Sequence, residues 1–315
     1  MKIVVAGASG FVGRRLVPRL VADGHTVHCG SRRPDSSRPA EWTWVRLDVD
    51  APETVDAALR GADVVVYLVH HMSGTHGPEL LTREAASADA FVAAAGRAGV
   101  RRIVYLGGPR PVGEPSPHLK ARLVTGERLR GSSVSCIELR AAMIVGAGSE
   151  SWTMVRDLAL RLPVMVLPSW LGTRSSPVVI ADVVDALAAA ATDELTGSGA
   201  FDLPGPEVLT AREILERVAA TVGIRPIMIP VPVLTPGLSS HWLRLVTRAD
   251  FEVARQLVSG LSSDLIPDRP GYWARMGERG PTALAVAMTD AIAHDEIRGP
   301  GRRWEALVRR IGRKI

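Results

Sequence analysis

Ile3-Val4-Val5-Ala6-Gly7-Ala8-Ser9-Gly10-Phe11-Val12-Gly13 is the stretch that decides the fold of this 315-residue chain. Four apolar residues carry the backbone, as a buried strand, into a turn that only small residues can make. Phe11 to Ala22 then reads as a helix whose first amides point back at that turn. The free N–H groups of a helix start and the positive end of its dipole together form a site for a pyrophosphate. Gly7 permits the tight turn, Gly10 lets a ligand approach the backbone, and Gly13 lets the helix pack closely. Ser9, Phe11 and Val12 complete the expected cradle. Glycine spacing alone is weak evidence, and the competing reading is a merely structural turn. The strand before it and the helix after it favour a dinucleotide site.

Working outward, strands and helices alternate. Strands are expected at His25–Gly30, Thr43–Asp48, Asp63–Val69, Arg102–Leu106 and Ser135–Ala142. Helices are expected at Pro52–Arg60, Thr82–Ala98 and Pro117–Arg130. The run Asp63 to Val69 is almost wholly apolar, as in a strand buried on both faces. This order argues for an α/β fold, a doubly wound parallel sheet. Pro18 falls inside the first helix, where a kink or a shorter first half is expected. Past residue 150 the pattern loosens. Helices are expected over Ser151–Leu162, Asp182–Thr192, Thr210–Val222, His241–Gly260 and Thr282–His294, with a short strand at Ala200–Leu203. Thr210 with Glu213 makes a capping box. Pro226–Val233 carries three prolines, which suits an edge strand. Trp152, Trp170, Trp242 and Trp273 lie in this half, and core filling is favoured over an apolar substrate cleft.

A hydrophobic content of 46% and positive mean hydropathy allow a sizeable core. Cys29 and Cys136 lack ligand-like spacing, so neither a disulfide framework nor a zinc site is expected, and a reducing cytoplasm fits. No signal peptide and no spanning apolar run are read from the sequence. The net charge is +5. Much of it lies in Arg302, Arg303, Arg309, Arg310, Arg313 and Lys314. With no aromatic platform interleaved among those charges, this reads as a solvated helix end, and no nucleic-acid partner is expected. The expected partner is a small-molecule substrate, with the protein a monomer or homodimer.

The second strand decides which dinucleotide. An acidic residue at its end would accept the ribose hydroxyls of NAD. Here stand Gly30-Ser31-Arg32-Arg33, with no carboxylate until Asp35. Two guanidiniums and a hydroxyl suit a 2′-phosphate, so NADP(H) is expected over NAD(H). The competing reading is that Arg32 and Arg33 are ordinary surface residues. Asp48, with Val49 after it, is placed to meet the adenine, unless it only caps the following turn.

At this point the chain resembles the short-chain dehydrogenase/reductase superfamily in its extended and atypical members. The Gly7-x-x-Gly10-x-x-Gly13 spacing and the strand order carry the resemblance. Leu139-Arg140-Ala141-Ala142-Met143-Ile144-Val145-Gly146 is similar to the segment that approaches the nicotinamide carboxamide in extended members. Leu68-Val69-His70 and His118-Leu119-Lys120-Ala121-Arg122 are similar to segments of NmrA-like proteins and a bacterial group beside them. The resemblance is good to about residue 205 and weak beyond. It implies a Rossmann domain over residues 1–150, rejoined by 176–203. A smaller C-terminal lobe from 151–175 and 204–315 would cover the nicotinamide end. It also implies cofactor contacts from Leu68, Val69, His70, Gly107, Arg122, Ala142 and Met143.

The chain departs from the superfamily in its proton-transfer pair. Ordinary members use Tyr-x-x-x-Lys, the lysine lowering the tyrosine pKa. Here the residues four after Tyr67, Tyr105 and Tyr272 are His71, Pro109 and Met276. The helix that should carry the pair offers His118 and Arg122 instead. Gly107 and Gly108 stand where a serine is usual. Three readings stay open. His118 replaces the tyrosine as general acid, with Arg122 on the ribose. Alternatively the protein binds NADP(H) and senses its redox state, or it is a cofactor-bound enzyme of redox-neutral chemistry. For His118 itself the plain reading is a surface histidine at a helix start. His70 and His71 follow the fourth strand at the sheet edge where ligands sit, and His70 is a candidate catalytic residue. With His76 they make a metal imaginable, but no carboxylate cluster completes it and none is expected. The loops Ser73–Pro78 and Pro109–Pro117 are candidate lids.

Overall fold

The computed structural model describes residues 1–34, 42–70, 78–162, 164–231, 263–269, 271–277 and 280–295. Asp35, His71, His76, the Ser73–His76 stretch of the first candidate lid, the expected helix at His241–Gly260, Trp242 and the basic tail lie outside these residues. Seven parallel strands form the main sheet: β1 (Lys2–Ala6), β2 (Thr26–Ser31), β3 (Thr43–Arg46), β4 (Val64–Tyr67), β5 (Arg102–Gly107), β6 (Ser135–Arg140) and β11 (Gly199–Asp202). Their order is β11-β6-β5-β4-β1-β2-β3. The order reverses between β1 and β4, which opens a crevice at the carboxyl ends of those strands. All four residues of β4 are buried, as its Val-Val-Val-Tyr sequence requires of a central parallel strand.

Helices cover both faces. On one face α1 (Gly13–Ala22) and α6 (Ile180–Thr192) bury Leu16, Val17, Leu20, Val183 and Leu187 against the sheet. On the other, α2 (Pro52–Leu59), α3 (Pro78–Arg97) and α4 (Pro117–Arg130) contribute Val55, Leu59, Phe91, Ala94 and Leu129. The helix α1 begins two residues later than expected, because Phe11 and Val12 still belong to the turn. It runs unbroken through Pro18, whose ring is exposed. The carbonyl that proline leaves without a donor faces water there, which keeps the cost low.

A third apolar cluster lies beside the sheet. It joins α5 (Glu150–Arg161), α7 (Ala211–Thr221) and α8 (Leu284–His294) through Trp152, Leu160, Ile214, Val218, Leu284 and Met288. Trp152 is fully buried in it, so core filling describes this tryptophan. Thr210 and Glu213 form the capping box that opens α7. Two-residue pairs β7 (Ile144–Val145) with β10 (Val178–Val179), and β9 (Arg174–Ser175) with β12 (Leu209–Thr210), stitch this region to the sheet. A separate parallel pair joins β8 (Val164–Pro168) to β13 (Ile227–Val231). The carboxylate of Asp295, just after α8, accepts from the Gly148 N–H at 3.2 Å and the Trp152 indole at 2.8 Å, and it pairs with Arg156. Residues 263–269 and 271–277 cross back over the sheet end. There Asp202 accepts the N–H groups of Asp268 and Arg269 at 2.7 and 2.8 Å, and the Trp273 indole donates to the Pro204 carbonyl at 2.8 Å.

A buried ion pair sits inside the sheet. Glu138 on β6 is fully buried and accepts from Arg130 Nε at 2.6 Å and Arg140 Nε at 3.0 Å. Gly107 and Gly126 make its space: a Cβ on either would lie 2.7 or 2.5 Å from Glu138 Oε1. Breaking a buried pair from one side strands the other charge, at a cost of about 3–5 kcal/mol. Glu138→Ala is therefore expected to lower the unfolding free energy by that amount, read as a fall in the urea midpoint at unchanged slope. An unmoved midpoint would show that Arg140 is not stabilised by this carboxylate.

Candidate dinucleotide site

The glycine turn follows β1 directly. Gly7 has φ +89°, a conformation only glycine adopts readily, and a Cβ there would meet the Leu68 backbone at 3.2 Å. A Cβ on Gly13 would lie 2.4 Å from the Gly7 carbonyl oxygen and 2.6 Å from Ala8 Cα. Gly13 thus lets the helix start sit on the turn itself rather than on the strand. Gly7 and Ala8 donate their N–H groups to the Gly30 carbonyl at 3.0 and 3.1 Å, and Gly10 donates to the Gly7 carbonyl at 3.0 Å. No side chain caps the start of α1, and the Arg14 and Arg15 amides donate to the Gly10 and Val12 carbonyls, both at 3.0 Å. The glycine turn before them is where a pyrophosphate would find amides.

At the adenine end, the Ser9 and Ser31 hydroxyls lie 3.2 Å apart. Ser31 is buried and donates to the Arg33 carbonyl at 3.1 Å, which fixes the turn carrying the exposed Arg32 and Arg33. Asp48 caps its own turn through Oδ1, which accepts the Asp50 N–H at 3.2 Å. Val49 is buried in the core.

Across the switch point, Leu68, Val69 and His70 follow β4 and are half-buried. His70 Nε2 lies 3.2 Å from the Leu106 carbonyl oxygen, and Arg122 Nη2 donates to the same oxygen at 3.1 Å. Two expected site residues, from different elements, thus meet at the end of β5. Arg122 lies over Gly108, where a Cβ would come 3.5 Å from its Cδ and Nε. Its Nε is buried with no partner among the described residues. Gly107 accepts the Ala141 N–H at 3.2 Å, and Met143 accepts the Val178 N–H at 2.9 Å; half-buried Ala142 lies between these ties. The second candidate lid is tied down: Val112 donates to the Asp264 carbonyl at 2.9 Å.

His118 stands one turn before Arg122 on α4, which opens on Pro117 behind the Ser116 cap. Burial first, then the Arg122 charge, push its imidazole down to about 4. Its side chain is half-buried at the start of α4. At neutral pH the ring is uncharged and accepts a proton more readily than it gives one. Buried Glu84, which accepts from Thr125 at 3.0 Å, pulls the other way. The tyrosines offer no substitute. Tyr67 and Tyr105 are fully buried, burial raises the pKa of both, and Tyr105 donates to the Arg122 carbonyl at 3.0 Å.

With this geometry in place, comparison with known proteins identifies the fold. Residues 7–161 match the NAD(P)H-binding family model. MoeE5, solved in complex with UDP-glucose and NAD, superposes with a TM-score of 0.71 at 17% identity, over 93% of this chain and 98% of that one. Residues 7–161 thus match a family described as NAD(P)H-binding, and the chain shares the fold of MoeE5. An uncharacterized protein of Mycobacterium tuberculosis is 31% identical over 79% of this chain. The chain spans only 26% of the length of that relative. A (4-alkanoyl-5-oxo-2,5-dihydrofuran-3-yl)methyl phosphate reductase of Streptomyces griseus is 28% identical over 84% of this chain and 90% of its own. Among the described residues no helix is long and apolar enough to cross a membrane.

Arg15, Glu84 and Glu138 were not singled out by sequence. A strand otherwise apolar but carrying Glu138 and Arg140 two apart, on one face, is the signal that could have found the buried pair. For His118, the pKa makes a direct prediction. Its ring resonances should titrate with a midpoint of about 4, well below the ordinary 6.5. The unfolded ring binds its proton first as pH falls, so stability should decline from pH 6.5 toward 4. A midpoint near the ordinary value would place His118 in water.

Proposed function

We propose that the protein is an atypical NADP(H)-dependent oxidoreductase acting on a small carbonyl-bearing or apolar substrate. The observation that carries this reading is the meeting of His70 and Arg122 on the Leu106 carbonyl, one helical turn from His118 and across the crevice from the glycine turn. When bound, the nicotinamide supplies hydride exchange with a substrate carbon. The residues of this chain do the rest. Arg122, through its Nε, holds the ribose where the superfamily uses lysine. His118 exchanges the proton at the substrate oxygen. Its ring is unprotonated at neutral pH and so takes the hydroxyl proton during oxidation as a weak base. In the reductive direction it acts as acid once bound phosphates add negative charge to the crevice. Similarity to a reductase along most of both chains supports the class of chemistry.

A second reading, a cofactor-bound redox sensor, draws on the same deprotonated His118 and on the missing Tyr-x-x-x-Lys pair. Turnover separates the two. NADPH oxidation should be measured with a panel of enones, aldehydes, quinones and unsaturated lactones. His118→Phe is expected to lower kcat by about 10²–10⁴ with NADPH affinity kept. A wild-type rate in that variant would remove His118 from the chemistry. Tight NADPH binding with no turnover on any substrate would leave the sensor.

The preference for NADP(H) rests on exposed Arg32 and Arg33, presented beside the Ser9–Ser31 contact. Arg32→Ala with Arg33→Ala is expected to weaken NADPH by about tenfold or more while leaving NADH nearly unchanged. Equal losses for the two cofactors would remove the phosphate argument.

A further inference from the structure

Arg15 is the first side chain of α1 to leave the glycine turn sideways. Its guanidinium carbon lies 4.4 Å from the centroid of the Phe11 ring. From there Nη1 donates to the Phe11 carbonyl at 2.9 Å, and Nη2 donates to the Ala147 carbonyl at 2.6 Å, 132 residues further along the chain. The same two segments touch a second time. A Cβ on Gly146 would lie 3.2 Å from Phe11 Cζ, and Gly146 is buried. The turn at 146–149 is closed by the Ser149 N–H on the Gly146 carbonyl at 3.1 Å, and Asp295 holds it from the other side through Gly148. Residue 147 therefore has little freedom to follow Arg15, and Arg15 must reach it.

The two segments belong to opposite halves of the site. The glycine turn follows β1, on one side of the switch point. Residues 141–147 follow β6, on the other side, past β4 and β5. A dinucleotide lies across that switch point, with one nucleotide on each half. Its two ends are covalently linked, so whole-ligand affinity depends on the spacing of the two half-sites as well as on each half alone.

We infer that Arg15 is a positioning residue that clamps the pyrophosphate turn to the segment after β6 and so sets the spacing between the two ends of the dinucleotide site. The inference rests on the cofactor reading above. Arg15 itself touches protein carbonyls, and its contribution is pre-organisation rather than contact with the ligand. An ordinary structural hydrogen bond would change the stability of the fold without distinguishing a whole dinucleotide from half of one.

The test is a comparison of binding by titration calorimetry. NADPH is set against 2′,5′-ADP and NADH against ADP, for the wild type, Arg15→Ala and Arg15→Lys. For Arg15→Ala the whole dinucleotides are expected to weaken by about tenfold, with the half-ligands held within about twofold. Arg15→Lys keeps the charge and one donor, and should fall between. If Arg15→Ala does not fold, the same split is read from Arg15→Lys. Equal weakening of whole and half ligands, or no change in either, overturns the clamp. Failure of the wild type to bind either NADPH or NADH overturns the cofactor reading, and this inference with it. Wild-type binding without a split overturns this inference alone.

Discussion

The contact between Gly13 and the carbonyl of Gly7 is the constraint on which the rest of the molecule depends. At 2.4 Å from that oxygen there is no room for a Cβ, and both neighbouring atoms are backbone, so no rotamer change can relieve it. A side chain at residue 13 would have to lift the start of α1 off the turn. Lifting it would displace Leu16, Val17 and Leu20 from the sheet and carry Arg15 away from Ala147. Ligand geometry and core packing are thus set by one close approach. The glycine loses more conformational entropy on folding than any other residue would, and the fold returns a helix start that no side chain caps.

The charges at the carboxyl edge form two layers with different tasks. Deep in the sheet, Glu138 is held by Arg130 and Arg140 and is given room by the absence of side chains at Gly107 and Gly126. Nearer the edge, the Leu106 carbonyl gathers His70 and Arg122, while His118 is held neutral by burial and by the Arg122 charge. In the inner layer Glu138 holds both arginines, although Arg140 Nη1 is buried without a partner among the described residues. The outer layer holds Arg122, whose Nε likewise has none among the described residues, and a proton acceptor in His118. This is the division expected where a fixed scaffold presents groups to a ligand.

The sheet was largely legible in the sequence because parallel strands buried on both faces leave unbroken apolar runs, as in Val64-Val65-Val66-Tyr67. Strand limits shifted by a residue or two, and the start of α1 moved from Phe11 to Gly13 because turn and helix share the same small residues. The glycine cradle could be read because its requirement is local. The pairs β7 with β10 and β9 with β12 could not, since two residues carry no periodicity. Arg15 was hidden for a different reason. Its acceptors are backbone carbonyls, which every residue possesses, so nothing in the identity of Ala147 marks it. The lowered pKa of His118 depends on which helices pack over it, and that is decided by α3 and α4 together.

Asp295 carries a consequence for the order in which the molecule is assembled. The Trp152 indole, the Gly148 amide and the Arg156 guanidinium all wait for a carboxylate that is made nearly 150 residues later in the chain. During synthesis β1 to β6 can pair as they emerge, because each finds its neighbour among residues already present. The start of α5 cannot. Until residue 295 is out, a buried arginine and a buried tryptophan lack their shared acceptor, and the apolar face of α5 lacks α8 to pack against. The joint between the sheet and the third apolar cluster thus waits for the last of the described residues, and the nascent chain must keep that surface from other partners in the interval.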